Sequence, residues 1–290
     1  MQLPSHLHLA SFLVCLSLSG TSAYLAGAPL EAALQDPRPE VPAEDPAEDP
    51  REALSKTLAQ AGIHLDFDHQ AVSTLARIEV TDQLLEYLAV LPHGAAHEAM
   101  LVLGGQRSPE DAVVWAEFLN TAILALGLEP GQNARWVEKD PAPSQDELRQ
   151  GVSAYDVFPP EGDGLFLYLA WRVGEERYIF RLEDLIRDLE RGRAMRRHPW
   201  VYLGSRMVDR GPDEPEAFAA GLEGNLINIS FFAQGNTLIT GALEECVNQT
   251  TWLPNAWILP PTGSDVLMIF ARERLNSIPE SIDELLPGGE

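Results

Sequence analysis

Cysteine is nearly absent from this chain, with only Cys15 and Cys246 among 290 residues. Cys15 lies in a leader that export would remove, so the mature chain keeps one thiol. A single thiol excludes an intramolecular disulfide, an iron–sulfur cluster and a Cys-rich zinc centre, because each needs several sulfurs to converge. A body of more than two hundred residues can bury enough apolar surface to fold without such staples. Basic residues are scarce as well: 20 Lys and Arg face 44 Asp and Glu, for a net charge of −24. Nucleic acid is thereby an excluded partner, since phosphate binding draws on clustered cations that this chain does not have. Also missing are H-E-x-x-H, G-x-S-x-G and any repeat of solenoid or propeller length.

The one long uncharged run is at the start. Leu9 to Leu18 reads LASFLVCLSL, an apolar stretch of signal-peptide length, and Thr21-Ser22-Ala23 supplies the small residues of a cleavage site. Residues 1–23 are therefore expected to be a signal peptide, and the protein to work in the periplasm or cell envelope. No Lys or Arg precedes the run, and it continues uncharged through Ala28, so an uncleaved anchor is the competing reading and the chain's one route to a membrane. Phe12 and Val14 argue against lipidation of Cys15. Residues 24–52 follow as a linker: QDPRPEVPAEDPAEDPRE (35–52) mixes prolines, which remove backbone donors, with acids that repel one another. Glu31 to Glu52 contributes −6 of the net charge and leaves −18 on the remainder.

Residues 53–275 read as a single globular domain, with 276–290 as a tail. IHLDF and AVSTLARIEV alternate apolar and polar residues as half-buried strands do. LLEYLAVL and HEAMLVL look like two strands of a hairpin joined through Pro92-His93-Gly94. Ser108-Pro109-Glu110-Asp111 is a helix start, and the helix runs to Gly127 with Val113, Trp115, Leu119, Ile123 and Leu126 on its apolar face. GLFLYLAWRV and RYIFR form a second hairpin around Gly174-Glu175. LEDLIRDLERG predicts an amphipathic helix, with Leu182, Leu185, Ile186 and Leu189 inward, the acids and arginines outward, and Gly192 as the stop. WVYLG, AFAAGLEGNLINISFF and VLMIFA complete the strand-like text. The expected fold class is α+β: a mostly antiparallel sheet built from hairpins with two or three packed helices.

Taken together, Leu85 to Val90, Pro92-x-Gly94-x-x-His97-Glu98, LALGLEPG (Leu124 to Gly131), Trp200-Val201-Tyr202-x-Gly204-Ser205, Glu223-Gly224-Asn225-Leu226-Ile227 and Asn255 followed by Pro260-Pro261-Thr262-Gly263-Ser264 resemble the YdjY-domain family of exported bacterial proteins. The resemblance spans roughly residues 62–271. It implies an exported single domain and no defined activity. The iron–sulfur terms in which some members are described do not transfer, because Cys246 is alone. The segment Phe231 to Thr251 also departs from the family's acidic loop and looks more folded.

The constellation richest in chemistry is His93-x-x-x-His97-Glu98. Two imidazoles and a carboxylate are zinc-ligand types, and helical spacing would align the rings. Pro92 and Gly94 instead favour a turn, and a strand starting at His97 would point His97 and Glu98 to opposite faces. A hydrogen-bonded structural role is the favoured reading, a non-metal functional role for His97 or Glu98 comes next, and metal is the weakest. Gly204-Ser205-Arg206 lacks the second glycine of a nucleophile elbow, and Gly221 to Asn225 reads as a bend or bulge. The run Arg187, Arg191, Arg193, Arg196, Arg197, His198 reads as a solvated helix end pairing with the chain's own acids. Trp252 and Trp257 lie between prolines, where an exposed pair would mark a partner or glycan surface, although packing of the loop onto the sheet is the favoured reading. Asn225 joins His97, Glu98, Trp252 and Trp257 as a binding candidate. The expected function is a non-enzymatic binding or scaffolding module, with an unknown protein or glycan of the envelope as partner and no cofactor. The alternative is a metal-assisted envelope hydrolase using His97 and Glu98.

Overall fold

The computed structural model describes residues 49–212 and 214–289, which belong to one compact unit spanning Glu48–Glu290. The signal segment and most of the linker lie outside the described residues. Among those residues, no helix is long and apolar enough to cross a membrane.

The expected open sheet of hairpins is corrected by the strand pairing. Eight strands close into a barrel in the spatial order Ala71–Ile78, Asp265–Ala271, Gly164–Val173, Trp200–Tyr202, Ile239–Thr240, Asn225–Asn228, Tyr87–Val90, Ala99–Leu103. The last strand returns to the first through Ala76 opposite Leu103 and Ile78 opposite Leu101. Closure removes sheet edges that would otherwise offer unpaired backbone groups to other chains. Two neighbours run parallel: Tyr87–Val90 beside Ala99–Leu103, and Asn225–Asn228 beside Ile239–Thr240. LLEYLAVL and HEAMLVL are therefore not a hairpin. Residues 91–98 carry the chain back to the start of its neighbour, with one turn of 3₁₀ helix at Ala96–Glu98.

Strand alternation sorts the barrel's two faces. In Gly164–Val173, Leu165, Leu167, Leu169 and Trp171 join the main core, and Phe166, Tyr168 and Ala170 face a second cluster outside it. Asp265–Ala271 does the same, with Val266, Met268 and Phe270 inward and Leu267, Ile269 and Ala271 outward. The outer apolar face is covered by residues 275–286. Residues 276–289, expected as a tail, thus supply the buried Ile282 and Leu286 and a short Gly288–Gly289 strand parallel to Gly164–Val173.

Helix Pro109–Ala125 forms where the sequence places it. The Ser108 hydroxyl accepts from the Asp111 backbone N–H at 3.2 Å, Pro109 occupies the first turn, and Trp115, Leu119 and Ile123 enter the main core. Trp115 Nε1 donates to Ala61 O at 3.0 Å, tying this helix to the end of helix Pro50–Gln60. The expected helix over 182–192 does not form. In its place are a 3₁₀ turn, Leu182–Leu185, and a strand, Ile186–Asp188, paired with Trp252–Pro254 and Arg193–Ala194. The helical pattern would put Glu183 and Asp188 in water, yet both are buried. Arg181, the His198 backbone N–H and Trp200 Nε1 hold Glu183, while Arg191 holds Asp188 at 3.0 Å. Tertiary ion pairs override the local period here.

Candidate functional site

The parallel pair Asn225–Asn228 and Ile239–Thr240 cannot be joined by a tight turn, so residues 229–238 form a long return loop. That loop folds over Tyr87, the register partner of Asn228 on the neighbouring strand. Between them lies a pocket of about 220 Å³ whose walls include Tyr87, Asn133, Glu223, Asn225, Phe232 and Asn236. Tyr87 and Phe232 stack with ring centroids 5.0 Å apart and planes 8° from parallel, which makes one wall aromatic.

The floor is fixed by amides. Asn228 donates to Thr240 Oγ1 at 2.8 Å and to Ser230 O, and it accepts from the Thr237 hydroxyl. Asn236 donates to Glu223 and accepts from Arg206 Nε at 2.7 Å. Ser205, read in the sequence as a strand end and not a nucleophile, donates from Oγ to Asn236 O at 2.6 Å and accepts from the Ala220 N–H at 3.0 Å. Its hydroxyl is spent on the pocket wall.

The mouth keeps free polar capacity. Asn225 Oδ1 accepts from the Ala95 N–H at 3.0 Å, and Asn133 Nδ2 donates to Phe232 O at 2.6 Å. Asn225 Nδ2, Asn133 Oδ1 and the Tyr87 hydroxyl have no partner among the described residues. Burial, with the charges of Glu86, Glu223 and Glu98 behind it, pushes the Tyr87 phenol up to about 12. Tyr87 is a neutral hydroxyl at physiological pH, able to donate and accept.

Of the residues singled out from sequence, Asn225 enters this pocket, held by a close backbone crossing. Gly224 has φ +75°, and a Cβ on Gly94 would stand 2.4 Å from Gly224 O. His93 Nε2 lies 2.9 Å from Gly221 O, engaged with the helix Ala219–Glu223 that precedes the site. His97 and Glu98 sit outside the pocket on the 3₁₀ turn, where His97 is exposed and 3.6 Å from Glu98. Among the described residues, no three His, Cys, Asp or Glu side chains group as metal ligands. Trp252 is buried at 1 % exposure and Trp257 stands 90 % exposed, so the two do not form a shared surface. Arg191, Arg196 and Arg197 pair with Asp188, Glu245 and Asp184. Sequence reasoning missed Tyr87, Asn133, Glu223, Phe232 and Asn236. The readable signal was the density of amides from Asn225 to Asn236, with Gly235-Asn236 as turn chemistry.

Compared with models of known families, with curated proteins and with solved structures, the chain matches none.

Proposed function

We propose that this protein is an exported, non-enzymatic binding module of the cell envelope, and that the pocket beneath Tyr87 and the 229–238 loop takes a neutral glycan. The carrying observation is the pairing of an aromatic wall with unspent amide and phenol groups around a small cavity. A sugar presents the same two chemistries, an apolar C–H face for stacking and hydroxyls that both donate and accept. The leading apolar run and the resemblance to an exported family support the compartment.

The test is calorimetric titration with neutral N-acetylglucosamine oligomers. Saturable one-to-one binding is expected, weakened about tenfold (~1.4 kcal/mol) by Tyr87→Phe, which keeps the ring stack and removes the hydroxyl. Absence of binding by any neutral oligosaccharide overturns the ligand assignment. Stoichiometric zinc in the purified protein, lost in His97→Ala, overturns the non-enzymatic reading in favour of a metal-assisted hydrolase.

A further inference from the structure

We infer a second site, for a carboxylate with an apolar body, in a cavity of about 650 Å³ on the outer face of the barrel. It shares no lining residue with the Tyr87 pocket. Arg181, Arg197 and Arg274 line it together with Tyr168, Ile258 and Leu275. Three guanidinium groups around one cavity stand out on a chain of net charge −24.

The hydrogen bonding decides which sign of ligand fits. Asp184 is the one carboxylate lining the cavity among the described residues, and Arg197 occupies both its oxygens, at 2.9 and 2.7 Å. Arg181, only 10 % exposed at its side chain, spends Nε and Nη2 on Glu183 and His198 O. Nη1 of Arg181 and Nη1 of Arg197 remain without partners among the described residues. Arg274 makes no ion pair there; its guanidinium lies over the Phe166 ring at 5.3 Å, and that of Arg181 lies over the same ring at 5.2 Å. The charged groups leave donors over and no unpaired carboxylate, so an anion gains where a cation meets only an Asp184 already held on both oxygens and the neutral amide of Asn276. Phe166 keeps two of the guanidiniums in place before any ligand arrives. Ile258 and Leu275 then favour an apolar body behind the carboxylate, and the volume is that of a small-molecule site.

The experiment is calorimetry on the full chain with decanoate, decanol and decyltrimethylammonium, each below its micelle concentration. Decanoate is expected to bind one-to-one, at least tenfold tighter than decanol, with no binding of the cation. Its affinity falls between 50 and 500 mM salt, and Arg274→Gln weakens it about tenfold at an unchanged melting temperature. Equal affinity for the three probes, salt-independent decanoate binding, or full decanoate affinity in Arg274→Gln each overturns the assignment. The salt series carries the test by itself if the variant is unstable. None of these probes reads the Tyr87 pocket, so the two sites stand or fall separately.

Discussion

Truncating Glu183 to alanine tests why residues 182–191 abandon the helix that their pattern favours. Glu183 is completely buried and takes four donations, from Nε and Nη2 of Arg181, from the His198 N–H at 3.2 Å and from Trp200 Nε1 at 3.2 Å. Glu183→Ala leaves a nearly buried guanidinium without its counter-charge and strands two N–H groups. Removing one partner of a buried ion pair costs about 3–5 kcal/mol, and a stranded buried donor about 1–3 kcal/mol more. Arg181 borders the outer cavity and can draw water from it, so the expected total is about 4 kcal/mol, a fall in Tm of roughly 8–16 °C for a body of this size. Urea denaturation followed by tryptophan fluorescence measures it. The companion Arg181→Met/Glu183→Leu removes the uncompensated charge but leaves the His198 and Trp200 N–H groups and the His198 carbonyl unpaired, so it should recover about half of that loss and not all of it. A loss below about 1 kcal/mol in Glu183→Ala refutes the reasoning, because that is the cost of a side chain in water on an exposed helix face.

Burial holds the His198 imidazole below its ordinary value of 6.5, and its Nε2 has no partner among the described residues. The unfolded chain therefore takes up the proton first on acidification, and stability, complete above about pH 6.5, declines as pH falls towards the folded value. His198→Gln should flatten the pH 7 to pH 5 stability difference, leaving the same-signed share of His64, which burial also lowers; an unchanged slope contradicts the assignment. Cys246 is fully buried and its thiol is pushed up to about 12, chiefly by burial. Peptide mapping after iodoacetamide treatment should find Cys246 unmodified in the native protein and modified in urea; rapid native labelling at pH 8 would count against the packing described. Gly94→Ala drives a methyl group into the Gly224 carbonyl, a backbone atom that cannot swing away. The expected cost is about 1–3 kcal/mol, with weakened oligosaccharide binding as Asn225 shifts; wild-type stability and affinity together would show that the crossing is looser than it looks.

Local pattern was enough for the elements whose partners are near in sequence. The hairpin through Gly174-Glu175, the strand pair IHLD and AVSTLARI and the capped helix from Pro109 are all where periodicity and turn chemistry put them. Closure was not legible, because it rests on Ile78 meeting Leu101 and Trp200 meeting Leu165, pairings that no periodicity encodes. The parallel pair Tyr87–Val90 and Ala99–Leu103 was misread for the same reason: apolar runs joined by Pro92-His93-Gly94 look like a hairpin whichever way the second strand enters. Residues 182–192 failed differently, since their acids are buried by partners as distant as Trp200.

The candidate site follows from the part of the topology that sequence hid. Antiparallel neighbours can be linked by two-residue turns, which leave little chain to build with, whereas parallel neighbours oblige the chain to travel back along the barrel. Residues 229–238 make that journey and deliver Phe232, Gly235, Asn236 and Thr237 to the pocket. The other parallel pair, Tyr87–Val90 with Ala99–Leu103, sends residues 91–98 round to meet Gly224, where the Ala95 N–H fixes the Asn225 amide. Both return loops border the strand pair Tyr87–Val90 and Asn225–Asn228, and the pocket opens beside it. A closed barrel holds that strand pair rigid, and Ile229, Phe231 and Leu238 anchor the long return loop in its core, which leaves Phe232, Ala233 and Gln234 as the part that can be exchanged without unsettling the packing. A ligand-binding change should therefore be reachable by substitutions confined to 232–234, with melting temperature held constant, and a variant in those three positions that unfolds would show instead that the tip of this return segment is also part of the core's own packing.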